Sequence, residues 1–269
     1  MRIGMVVAVL AVMWAQIAGA DGLRLFSMNS LQDGRAWEAV GRLEIGGKAF
    51  CTGALIEEGL VLTAAHCLYD SQTGERVNVD DIQFMAGWRN GRAGAYRRVR
   101  RAVHHPAYSY MDKDDPSRIQ NDVALLELQH PIRNTTIVPF ATGTAPDIGQ
   151  ELGLVSYAHD RSEAPSLQQT CDLLARQRGA LIMSCDVDFG ASGSPVFRFD
   201  QGEPVIVSVV SGKANVAGRK VSLGTSLTEP LMLMRAQLAG KAAFQHVTSA
   251  NSAPTSGSRF PNGAKFVRP

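Results

Sequence analysis

The segment CDVDFGASGSPVF, residues 185–197, sets one hydroxyl, Ser192, among Gly190, Ala191, Gly193 and Ser194, just ahead of an apolar run. Glycine costs backbone entropy when ordered, so such a turn implies a place where the main chain itself approaches another molecule. Upstream, LTAAHC puts His66 at the end of a hydrophobic run, and NDVALLEL opens a second such run with Asp122. Singly, each has an ordinary structural explanation: a strand-end histidine, a capping aspartate, a glycine turn. Together they supply the parts of an activated nucleophile. A serine hydroxyl attacks only when a base takes its proton, and an imidazole of near-neutral pKa can be that base. The imidazole needs a carboxylate to hold its tautomer. Charge developing on a carbonyl oxygen needs donors already in place, which two backbone N–H groups of a tight turn can be. The order His, Asp, Ser excludes the α/β-hydrolase order, and GASGS lacks the last glycine of that fold's G-x-S-x-G elbow.

Strands must position these groups. Short apolar or alternating runs occupy 39–47, 50–66, 81–87, 97–105 and 123–129, and a second series occupies 151–158, 170–177, 180–186, 194–200, 204–212 and 221–227. Gly, Asn and Asp clusters separate them. Runs of this kind with hardly any helix predict an all-β protein of two barrels or sandwiches. One helix is expected at TEPLMLMRAQLAG, with Pro230 in its first turn and Gly240 just past its end. The Ser, Pro, Gly and Asn-rich stretch 241–269 reads as a flexible tail.

Residues 1–20 read as an export signal: Arg2, an apolar run, then Ala18-Gly19-Ala20, predicting a mature chain from Asp21. The run is short for a membrane anchor, and no later stretch is apolar enough to span. Losing Arg2 lowers the formal net charge from +2 to +1, a balance that says almost nothing about partners, and no nucleic-acid partner is expected. Six arginines in 89–105 could meet anionic surfaces or polymers, and the favoured reading is an exposed hairpin whose arginines keep a strand edge soluble. In an oxidising compartment the four cysteines, Cys51, Cys67, Cys171 and Cys185, suggest two disulfides, with three pairings open. Pairing of neighbours would close two short loops worth about 3 kcal/mol each.

TAAHC, NDVALLEL and GASGSP resemble the three signature segments of the chymotrypsin-like (trypsin-fold) serine peptidases, and WEAVGRLEIGGKAFCTGALIEEGLVLTAAHC resembles that family's entry into its first barrel. The resemblance covers roughly residues 37–240, and the GxSGSP form is similar to the bacterial glutamyl-endopeptidase branch. It implies two antiparallel six-stranded β-barrels with a C-terminal helix: residues 37–134 carrying His66 and Asp122, and residues 135–240 carrying Ser192, after an N-terminal segment 21–36. It further implies His66 as general base, Asp122 as orienting acid, Ser192 as nucleophile, Gly190 and Ser192 N–H groups as oxyanion hole, and a Cys51–Cys67 disulfide. The implied activity is secreted or periplasmic peptide-bond hydrolysis through an acyl-enzyme, on protein or peptide substrates, with no cofactor. A catalytically silent binding module and an esterase on the same fold are the alternatives. No oligomeric state follows.

The chain departs from the pattern in two places. Ala191 stands where animal members carry an aspartate that pairs with a freed N-terminus, so the hole is expected to be held by backbone hydrogen bonds and packing. Specificity signals conflict. Counting back from Ser192 puts Asp186 where trypsin-like members bind Lys or Arg, with a solvated turn residue, held elsewhere by a disulfide at Cys185, as the equal alternative. Matching IVSVVSG to the family's wall strand puts Ser208 at a shared serine and Val210 at a glycine, which would narrow the pocket toward small apolar residues. The aspartates of MDKDDPSRIQND and the stretch YDSQTGER read as solvated loops, since the first lacks the alternating spacing of a calcium loop, and no metal is called for.

Overall fold

Alternating or continuous burial makes strands from these runs, and their pairing closes two rings. A computed structural model describes residues 25–112, 117–216, 218–240 and 265–266. The expected signal segment and most of the expected tail lie outside these residues. The chain begins with β1 (Leu25–Ser27) and a short α1 (Leu31–Gly34). Then come β2 (Val40–Ile45), β3 (Ala49–Glu57), β4 (Leu60–Thr63), β5 (Ile82–Ala86), β6 (Ala95–His104), α2 (Ser117–Asn121) and β7 (Ala124–Leu128). Strands β2, β3, β4, β7, β6 and β5 close a barrel in that order. Its interior is filled by side chains such as Leu43, Leu55, Leu62, Phe84 and Leu125, all buried.

The second half contains β8 (Ala141–Thr142), β9 (Glu151–Ala158), β10 (Arg161–Gln177), β11 (Ala180–Met183), β12 (Pro195–Asp200), β13 (Glu203–Val216) and β14 (Arg219–Ser226). These lead to α3 (Thr228–Ala239) and β15 (Lys265–Phe266). The ring β10-β11-β14-β13-β12-β9 returns to β10, so this sheet also closes with six strands, while β1, β8 and β15 add to its edges. α3 covers the predicted helix and ends at Gly240. It packs back against β6 and β7 of the first barrel, burying Leu231 and Met234. Among the described residues no helix is long and apolar enough to cross a membrane.

Two features were not expected. β10 starts nine residues before the apolar run at 170, passing through Pro165, because no ladder pairing is required between Arg161 and Ser166 and a proline is tolerated at such an irregularity. β1 pairs with this stretch. Met28 then donates its N–H to Pro165 at 2.9 Å and accepts from the Arg89 guanidinium at 2.7 Å. The segment before residue 37 is thereby strapped to the second barrel. Of the arginine-rich hairpin, Arg100 and Arg101 both pair with Glu127 of β7.

Candidate active site

Register brings His66 and Asp122 together. In the antiparallel pair of β4 and β7, Thr63 faces Ala124, so three residues past one strand and two before the other lie at the same end. There a single 3₁₀ turn, Ala65–Leu68, presents the imidazole, and a disulfide from Cys67 to Cys51 of β3 pins that turn. Asp122 is 2% exposed. Its Oδ1 accepts the His66 backbone N–H at 2.8 Å, and its Oδ2 lies 2.7 Å from His66 Nδ1. Oδ2 also accepts the Ser211 hydroxyl. Burial alone would raise the Asp122 carboxyl. The facing His66 ring, with the hydrogen bonds from His66 and Ser211, outweighs burial and holds it below the usual carboxylate value. A carboxylate accepting at Nδ1 puts the ring proton there and leaves Nε2 as the basic nitrogen. Nε2 has no hydrogen-bond partner among the described residues.

The serine turn is built by the second barrel and clamped by the first. Gly190 and Gly193 have φ of +91° and +75°, the left-handed region that glycine alone enters cheaply. A Cβ on Gly190 would press into the Phe50 ring, and one on Gly193 into the Thr52 carbonyl, Thr63 and the Ala64 nitrogen. Within the turn, Ala191 N–H donates to Asp188 O, Gly193 N–H to Val210 O and Ser194 N–H to Ala191 O, all within 3.0 Å. From the first barrel, Thr52 N–H donates to Ser192 O at 2.8 Å and its hydroxyl to Gly190 O at 3.0 Å. Gly190 and Ser192 N–H have no acceptor among the described residues, the condition a pair of waiting oxyanion donors must meet. Ala191 is fully buried in an apolar cluster with Val187, Val196 and Val210, so packing occupies the position where an ion pair was ruled out.

His66, Asp122, Gly190 and Ser192 line one open groove of about 1350 Å³ between the barrels. His66 and Ser192 share that groove without a direct hydrogen bond, a looseness common before substrate tightens such contacts. Cys171 and Cys185 are also bonded, with Cα atoms 4.9 Å apart, tying β10 to the segment that leads into the turn.

The specificity assignments change. Asp186 is exposed and its N–H is held by Gln168 Oε1 at 2.8 Å; it lines neither the groove nor the recess beside Ser192. Gap-free counting fails because the disulfide at Cys185 turns this residue outward. Ser208 is not the serine at the site, since its buried hydroxyl donates to Thr225 O at 2.9 Å. Ser211 takes that place. A register shift in β13 between Val210 and Gly212 separates the two serines, and only the spacing Ser208–Ser211 hinted at a choice. Val210 does line the recess. Phe50, Asp188, Phe189 and Lys213 line these surfaces too, and no local motif marked them.

Two six-stranded antiparallel barrels, with a His–Asp pair from one facing a serine turn from the other, define the double-barrel architecture of trypsin-like proteins. The chain belongs to the trypsin family: the family described as Trypsin matches residues 29–228. It is 28% identical over 147 residues to human mannan-binding lectin serine protease 1 (Homo sapiens), covering 49% of this chain and 20% of that protein. It is 26% identical over 149 residues to a glutamyl endopeptidase of Bacillus licheniformis, covering 55% of this chain and 45% of that protein. The chain thus spans less than half the length of these relatives. A solved structure of a Glu endopeptidase in complex with MPD superposes with a TM-score of 0.62 at 17% identity, covering 75% of this chain and 90% of that one, a likeness of fold.

Proposed function

We propose that this protein is an exported serine endopeptidase working through an acyl-enzyme. The observation that carries the reading is the coincidence, on one groove, of buried Asp122 bonded to His66 with a serine turn, the His66 Nε2 and two N–H groups of that turn having no partner among the described residues. Ser192 Oγ attacks the peptide carbonyl carbon while His66 Nε2 takes its proton. The Gly190 and Ser192 amides receive the oxyanion, and Asp122 stabilises the imidazolium without taking its proton. His66 then protonates the leaving amine, and water, deprotonated by the same nitrogen, releases the acid. Export is supported by the leader-like start and by two disulfides, which persist in secreted or periplasmic surroundings.

The test is labelling with a fluorophosphonate together with casein hydrolysis. Both are expected in the wild type and both should vanish in Ser192→Ala. A folded wild type that neither labels nor hydrolyses casein would refute the reading.

A further inference from the structure

A peptidase must place the side chain of the residue whose carbonyl is attacked into a recess beside the nucleophile. Next to Ser192 that recess holds only about 30 Å³, small beside the groove of about 1350 Å³ that shares Phe189, Ser192 and Lys213 with it. Its inner wall is apolar, made by Val187 and Val210, both buried. Its mouth is crossed by a bridge. Lys213 of β13 sets its ammonium 2.8 Å from Asp188 Oδ1 and 4.4 Å from the centre of the Phe189 ring. The same Asp188 oxygen accepts the Phe189 N–H at 2.8 Å, and the Asp188 carbonyl accepts the Ala191 N–H at 2.9 Å. The bridge therefore joins the strand on one side to the turn that carries the nucleophile on the other.

We infer that Lys213 and Asp188 together determine specificity, closing the recess to all but small uncharged side chains, so that cleavage follows alanine, glycine or serine. This rests on the peptidase reading. A long side chain would have to break the ion pair and displace Phe189. A charged one would meet valines that offer no hydrogen bond, beneath a pair whose charges already neutralise each other.

The experiment compares kcat/KM on a peptide series differing only at that residue: Ala, Leu, Phe, Glu and Lys. For the wild type, Ala should exceed each of the others by about tenfold or more, the discrimination a hydrophobic pocket gives against misfit. Lys213→Ala should raise the Leu to Ala ratio by about tenfold. Asp188→Asn leaves the ammonium without its counter-charge and should instead raise the Glu to Ala ratio. That opposite signature would not come from mere loosening of the loop. A wild type that labels with fluorophosphonate at Ser192 but prefers Leu, Phe, Glu or Lys overturns this inference alone, as do variants that keep the wild-type profile. A wild type that neither labels nor cleaves any peptide overturns the peptidase reading and this inference with it.

Discussion

Ser211→Ala isolates one of the three donors that keep Asp122 ionised inside the protein. The others are the His66 backbone N–H and Nδ1–H. Asp122 is 2% and Ser211 8% exposed, so little water can replace the lost hydroxyl. A hydrogen bond to a buried charge contributes about 1.5–3 kcal/mol, which should be the loss of unfolding free energy at pH 7. The same change lifts the Asp122 carboxyl back toward its ordinary value, because one of the hydrogen bonds that hold it low is gone. The sign follows from linkage. A carboxyl held low in the folded state contributes stability above its unfolded value of 3.8, and that contribution fades as pH falls through the folded value. The difference between variant and wild type should therefore be full at neutral pH and shrink in acid. Because the hydroxyl positions the carboxylate behind His66, kcat/KM should fall by about 10-fold or more on the same free energy. Urea unfolding at about pH 7 and about pH 3 reads the first effect, and steady-state kinetics the second. Equal stability at pH 7, or an equal deficit at both pH values with unchanged kcat/KM, would refute the assignment of Ser211 to Asp122.

Gly193→Ala should cost about 2 kcal/mol from its left-handed backbone alone, and more from collision with the Thr52 carbonyl and Ala64 nitrogen; thermal melting checks it, and a melting point like that of the wild type contradicts it. Replacing Cys171 and Cys185 by serine together should lose about 3 kcal/mol and loosen the segment entering the serine turn, read by urea unfolding and by casein turnover. Burial holds His104 below its ordinary 6.5, opposed by Nδ1–H donation to the His105 carbonyl and reinforced by Arg76; its contribution is full above pH 6.5 and lost as pH falls through the folded value, so Tm should drop between about pH 7 and about pH 5, and less so in His104→Gln.

Local pattern carried far in this chain. Strand runs were legible because burial alternates or is continuous along them, and His66, Asp122 and Ser192 were legible because each sits at a strand end with a distinctive neighbour. What stayed hidden depends on register and on distance. The first turns of β10 hide behind Pro165 and polar residues that are buried by pairing with β1 rather than by apolar character. The choice between Ser208 and Ser211 turns on a shift within β13, which no count along the chain reveals. Asp188 and Lys213 are ordinary surface charges in sequence, and only the closure of the second barrel puts them face to face across the recess.

Several of the contacts that shape the site cross between barrels. Thr52 of β3 is fully buried and serves both sides at once. Its N–H and hydroxyl hold the Ser192 and Gly190 carbonyls, its oxygen accepts the Tyr157 N–H at 3.1 Å, and its carbonyl accepts the Thr63 hydroxyl at 2.8 Å beside the His66 turn. In return the second barrel reaches over with Ser211 to Asp122 and with Thr225 to the Ile119 carbonyl at 2.6 Å. The Gly190 and Ser192 amides share peptide planes with the Phe189 and Ala191 carbonyls, which accept the His159 N–H at 2.7 Å and the Ser194 N–H at 3.0 Å, so these donors have little freedom to rotate away, which is what preorganised donors require. A buried ion pair beneath the turn could do the same work, but with Ala191 in the apolar core that route is closed. Preorganisation here therefore starts within the second barrel, docking through Thr52 holds the adjacent peptide planes of the turn, and the strapping of Met28 to β10 and Arg89 adds to that docking from outside the groove.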